Sequence, residues 1–196
     1  MRNAFVLTLF VLTACPGPTC PAGFVGTPGA TPTGSIVFTD GTDPTLRPLT
    51  SGQMVPLEPP PQGGYVMYVA AKVLHMDACV EVSGKLRDPA TSNQVGFDAR
   101  TTTLIRSSDG SGVPDGTNNA NLSNLNGCPD YTTRDIHNQD YLVEVDIKDR
   151  SGRTLHLSDH ITPRCNLSNP ALQADCICTC SANYFLGKCG LADGGI

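Results

Sequence analysis

Apolar and polar residues alternate most regularly between Tyr141 and Ile161. Tyr141, Val143, Val145 and Ile147 alternate with Leu142, Glu144, Asp146 and Lys148, the period of two that marks a half-buried strand. Asp149-Arg150-Ser151-Gly152 reads as a turn, and Leu155, Leu157 and Ile161 supply the apolar positions of a return strand. Cross-strand partners share a face, so Ile147 is expected opposite Leu155, Val145 opposite Leu157, and Asp146 opposite His156 on the outer face. That register needs a bulge or a five-residue connection, with Gly152 in the left-handed conformation.

Shorter runs lie upstream. Ser35–Thr39 and Gln53–Leu57 are strand-like, the second ended by Pro59-Pro60-Pro61, which a central strand does not accommodate. Tyr65–Leu74 is apolar on both faces except at Lys72, the pattern of a strand deep in a sandwich. Cys79–Leu86 and Phe97–Ile105 follow. Ser107–Gly127 is polar, rich in Gly, Asn, Ser and Asp, and long enough to be read as a functional loop. Long helical periodicities are missing. Trp is absent, and Gly and Pro number 20 and 16, a composition that suits many short strands joined by turns.

The N-terminus is of another kind. Arg2 precedes an apolar run, Ala4–Leu12, too short to span ~30 Å of hydrocarbon at ~1.5 Å per residue, which favours an export signal. The run ends in Leu12-Thr13-Ala14-Cys15, which resembles the lipobox of bacterial lipoproteins. The resemblance implies a signal peptide over 1–14, cleavage before Cys15, and lipid (palmitate among its chains) on that cysteine. Pro16 stands where an Asp would signal inner-membrane retention, so the implied address is the outer membrane, facing periplasm or cell surface. Residues 15–34 are Pro, Gly and Thr with little bulk, a tether; Cys20 inside it is expected to pin it to something folded.

Nine cysteines would leave one thiol over in an exported chain. With Cys15 assigned to lipid, Cys20, Cys79, Cys128, Cys165, Cys176, Cys178, Cys180 and Cys189 remain as disulfide candidates, an even set suited to an oxidising compartment. Their pairing is open at this level.

Tyr141, Val143, Val145 and the Asp149–Gly152 turn resemble the last two strands of immunoglobulin-like domains. With roughly seven short strands over 35–164, the resemblance implies an all-β, Ig-like antiparallel β-sandwich. No Cys follows Tyr141 by two residues, so the implied relatives are bacterial modules without the antibody-type bridge. Cys176-x-Cys178-x-Cys180 and Cys189, with Tyr184 and Gly187, resemble the end of an epidermal-growth-factor-like module. That implies a disulfide-rich C-terminal cap over 165–196, with no function carried over.

Charge narrows the partners. Loss of Arg2 with the signal leaves 12 basic residues against 18 acidic ones, so nucleic acid is not an expected partner. The Cys176–Cys180 cluster offers soft-metal ligands, but alternating cysteines make a poor tetrahedral knuckle, and disulfides are the favoured reading. His156 and His160 lie ~13 Å apart on a strand, beyond a shared ion; His75 and His137 are isolated. Asp109-Gly110-Ser111 and Asp115-Gly116 are calcium candidates without EF-hand spacing, and Asp-Gly pairs are equally natural turn formers. No G-x-S-x-G elbow is present, and the sequons at Asn121 and Asn166 carry no weight in the bacterial chain that the lipobox resemblance implies. The expectation is a membrane-anchored, non-enzymatic binding or structural module without a cofactor. Protein or glycan recognition falls to loop 107–127. The alternative is a metal carrier or envelope enzyme using Cys176–Cys180 or the Asp-bearing loop.

Overall fold

The computed structural model describes residues 20–40, 43–130 and 133–189. Its strands are β1 (Phe24–Val25), β2 (Thr33–Thr39), β3 (Arg47–Pro48), β4 (Gln53–Leu57), β5 (Tyr65–Leu74), β6 (Met76–Asp77), β7 (Cys79–Arg87), β8 (Gln94–Arg106), β9 (Gly112–Pro114), β10 (Ser123–Cys128), β11 (Tyr141–Asp149) and β12 (Thr154–Cys165). A 3-10 turn (Asn119–Asn121) and one helix, α1 (Pro170–Thr179), complete the described elements.

The strands form an all-β sandwich. One layer runs β3-β2-β5, with β9 and β10 both on the other side of β5; the facing layer runs β8-β7-β11-β12-β4. Pairing is antiparallel except between β4 and β12, which run parallel. The layers join at their margins. Residues up to Thr103 of β8 pair with β7, whereas Leu104–Arg106 pair with β9 in the opposite layer. Across the sandwich, a bridge between Glu58 and Val66 carries the end of β4 to β5. Strands that pass from one sheet to the other leave less open edge to template aggregation.

Alternation decides what lies between the layers. Met67, Val69, Ala71 and Val73 of β5, Val80, Val82 and Leu86 of β7, and Val143, Val145 and Ile147 of β11 belong to one buried cluster. The second face of β5 is buried as well, because Val66, Tyr68 and Ala70 pack with Val37, Leu122 and Leu46. That explains a strand apolar on both faces.

The β11–β12 hairpin has the expected register: Ile147 opposes Leu155, Val145 opposes Leu157, and Asp146 opposes His156. Five residues, Asp149–Arg153, connect the last pair, Lys148 and Thr154, and Gly152 has φ +85°. Asp149 organises this connection. Its carboxylate accepts from the Ser151 and Arg153 amides and from the Asp77 amide across the strand gap, and it pairs with Arg153 at 2.7 Å. The Tyr141 hydroxyl donates to the Asp135 carbonyl at 3.1 Å, the contact of a tyrosine corner.

From Cys20 onward the expected tether is docked. Cys20 is bonded to Cys79, β1 pairs with β6, and Arg150 donates to the carbonyls of Cys20 and Pro21. The Arg153 guanidinium lies 4.5 Å over the Phe24 ring. Composition alone suggested a flexible spacer, but a bridge and a two-stranded ladder outweigh the local freedom of Gly and Thr. The expected signal peptide, 1–14, and residues 15–19, Cys15 among them, lie outside the described residues. No described helix is long and apolar enough to cross a membrane.

Candidate functional site

Eight cysteines pair as Cys20–Cys79, Cys128–Cys180, Cys165–Cys176 and Cys178–Cys189. The C-x-C-x-C run thus sends its three sulfurs to three different partners. Helix geometry explains how. Asn169 caps α1 by accepting from the Ala171 and Leu172 amides, Pro170 starts it, and Cys176 and Cys180 then face inward one turn apart while Cys178 points elsewhere. The Sγ atoms of Cys165, Cys176 and Cys180 lie within 4.8 Å of one another because two buried bridges pack side by side. The helix docks on the sandwich through Tyr65, whose hydroxyl donates to the Leu172 carbonyl and the Asp175 carboxylate.

The segment Ser107–Gly127 is not one irregular loop. It holds β9, the 3-10 turn and most of β10, and fully buried Leu122 and Leu125 anchor it. Three polar residues, Ser123, Asn124 and Asn126, obscured β10 in the sequence; its buried alternate positions are Ser123, Leu125 and Gly127. Asp109 pairs with Lys72 and accepts from the Ser111 amide, and its pKa is held well below the carboxylate range by those groups. Asp115 accepts from the Thr117 amide and hydroxyl, which lower its pKa too. Both calcium candidates therefore close turns. The stretch Gly116–Asn119, exposed at Thr117 and Asn118, lines a polar cleft of about 280 Å³ with Thr39 and Pro44.

A second candidate surface is the outer face of β7, β11 and β12. Lys85 and His156 reach Asp146 from opposite sides at 2.7 Å each, and Arg87 meets Glu144 at 2.7 Å. Lys85 and His156 hold the Asp146 pKa down. Glu81, Ser83, Lys148, Thr154 and His156 line a shallow depression of about 440 Å³ here. Ser83 and His156 flank Asp146 on its two neighbouring strands, so they stand two strand spacings, ~10 Å, apart. That order places the carboxylate between hydroxyl and imidazole, so His156 is not the neighbour of the Ser83 hydroxyl. His160 pairs with Asp140, and His75 and His137 accept backbone N–H groups from Thr27 and Cys165. Sequence reading missed Lys85 and Arg87 as partners; the signal was the alternation of polar residues along β7.

Compared with known proteins, the chain matches no family model and no curated protein.

Proposed function

We propose that this protein is an exported, lipid-anchored, non-enzymatic binding or structural module of a bacterial cell envelope. The observation that carries the reading is the cysteine balance. Four bridges use eight of the nine cysteines, so Cys15, placed at the end of the Leu12-Thr13-Ala14-Cys15 motif, has no cysteine left in the chain to pair with. Disulfides of this density suit an oxidising compartment. Three acyl chains on Cys15 would hold the domain at a membrane, the outer membrane being the address Pro16 favours. The domain itself is an Ig-like sandwich whose recognition surface is the polar cleft at Gly116–Asn119, suited to a glycan or a polar protein segment.

The test is fractionation of cells carrying Cys15→Ser, with labelled palmitate supplied to the wild type. The expected outcome is label on the wild type and release of the variant into the soluble fraction. An unlabelled wild type, or a variant still held at the membrane, overturns the anchor. The adjacent sulfurs of Cys165, Cys176 and Cys180 favour the metal carrier as a second reading. Thiol titration of the exported protein separates the two: stoichiometric metal with free thiols at these positions would establish the carrier.

A further inference from the structure

We infer that one specific end of the sandwich lies against the lipid headgroups, the end formed by the connections 75–79, 107–111 and 149–153, with the disulfide knot held at the far end. The inference rests on the lipid-anchor reading and adds to it an orientation. Its basis is the Cys20–Cys79 bridge. Cys79 opens β7 at the same end as Asp149 of β11 and Arg106 of β8, since Asp149 neighbours Val80 and Cys79 neighbours Thr103. Only four residues separate Cys15 from Cys20. Fully extended, that connection reaches ~18 Å from the bridge. The far end is out of range. The strand β5 alone, ten residues long, measures ~33 Å. A membrane anchor on Cys15 therefore keeps the Cys20–Cys79 end close to the bilayer, unless the domain lies flat on its side.

The surface chemistry of this end suits contact with headgroups. At the bridged end, Lys72, Arg106, Lys148, Arg150 and Arg153 accompany Asp77, Glu81, Asp109 and Asp149, five cations to four carboxylates, in a chain that without Arg2 has 12 basic residues against 18 acidic ones. This end carries no excess negative charge among its described residues, so an anionic headgroup layer does not repel it. Several polar groups here are exposed, Ser108 and Ser151 among them, and Arg150 keeps about half its side-chain surface in solvent. Of the exposed large apolar side chains among the described residues, Ile105 alone belongs to this end, whereas Ile177, Phe185 and Leu186 project from the knot at the other. The contact is with headgroups and does not insert into hydrocarbon.

The absence of Trp makes a direct test possible with single-Trp reporters. Ser108→Trp marks the bridged end and Leu186→Trp, on a residue 69% exposed, marks the knot. Each lipidated full-length protein is reconstituted in phosphatidylethanolamine–phosphatidylglycerol vesicles carrying a nitroxide on the headgroup. With reporters ~30 Å apart along the strand axis, quenching at Ser108→Trp is expected to exceed that at Leu186→Trp by about three-fold or more. Equal quenching, or the reverse order, overturns the orientation while leaving the anchor standing. Failure of both proteins to float with the vesicles removes the anchor, and the orientation falls with it. Ser108→Trp made in the Cys15→Ser background is expected to show no quenching.

Discussion

Burial of Glu58, immediately after β4, pushes its pKa up to about 7, and the Asp40 carboxylate adds to the effect. A carboxyl whose folded pKa exceeds its unfolded value of 4.5 favours folding while protonated. Its contribution is fully present below pH 4.5 and is lost as pH rises through about 7. Asp149 titrates with the opposite sign. Burial raises its pKa, but the Asp77, Ser151 and Arg153 donors prevail and hold it near 2, so its contribution is lost only as pH falls from 3.8 towards that value. The two effects occupy separate windows. Urea denaturation across pH 4.5–8 is expected to show wild-type stability declining with pH, and Glu58→Gln flattening the decline. An unchanged slope in the variant would place the titrating group elsewhere.

Two bridges hold the helix α1 and a third holds its cap residue Cys180, yet its first turn still depends on the Asn169 side chain, which satisfies the amides of Ala171 and Leu172. Asn169→Ala is expected to cost ~1 kcal/mol, seen as a lowered urea midpoint at constant m-value. A midpoint unchanged within error would mean that the bridges alone fix the turn. Elements of this size also show where sequence reading succeeds. The β11–β12 hairpin was legible to the residue pair because period-two alternation and a positive-φ glycine agree on one register. β4 and β5 were legible from their apolar runs and flanking prolines. Helix α1 was not, because its face is set by cysteines whose partners lie in β10, β12 and the last turn. The Asn169-Pro170 pair was the available start signal. β1 and β9 are two and three residues long and exist through their pairing, which no local pattern announces. Of the candidate site, the disulfide residues and the Asp146–His156 pair were legible. The cleft at Gly116–Asn119 was not, since it needs Thr39 from a distant strand.

At the scale of the molecule, one bridge ties the N-terminal segment to one end of the sandwich and three gather at the other, and the four differ in access. Cys128, Cys165, Cys176 and Cys180 are all at or below 3% exposed, within the main core. Cys20, Cys178 and Cys189 are partly exposed. Exchange requires attack on a sulfur, so a bridge closed to solvent reacts only after the structure around it opens. Opening the Cys178–Cys189 loop disturbs the chain beyond α1 alone, and opening Cys20–Cys79 releases a two-stranded ladder. Opening the inner pair requires the core of β10, β12 and α1 to separate, which approaches global unfolding. Stepwise reduction under native conditions, with alkylation and peptide mapping, is therefore expected to label Cys178, Cys189, Cys20 and Cys79 first. Label at Cys165, Cys176, Cys128 and Cys180 should follow only as the near-ultraviolet signal of the fold is lost. Early label on Cys165 or Cys176 in a still-folded protein would show that the paired inner bridges are a reactive centre, and the structural role assigned to the knot would fall.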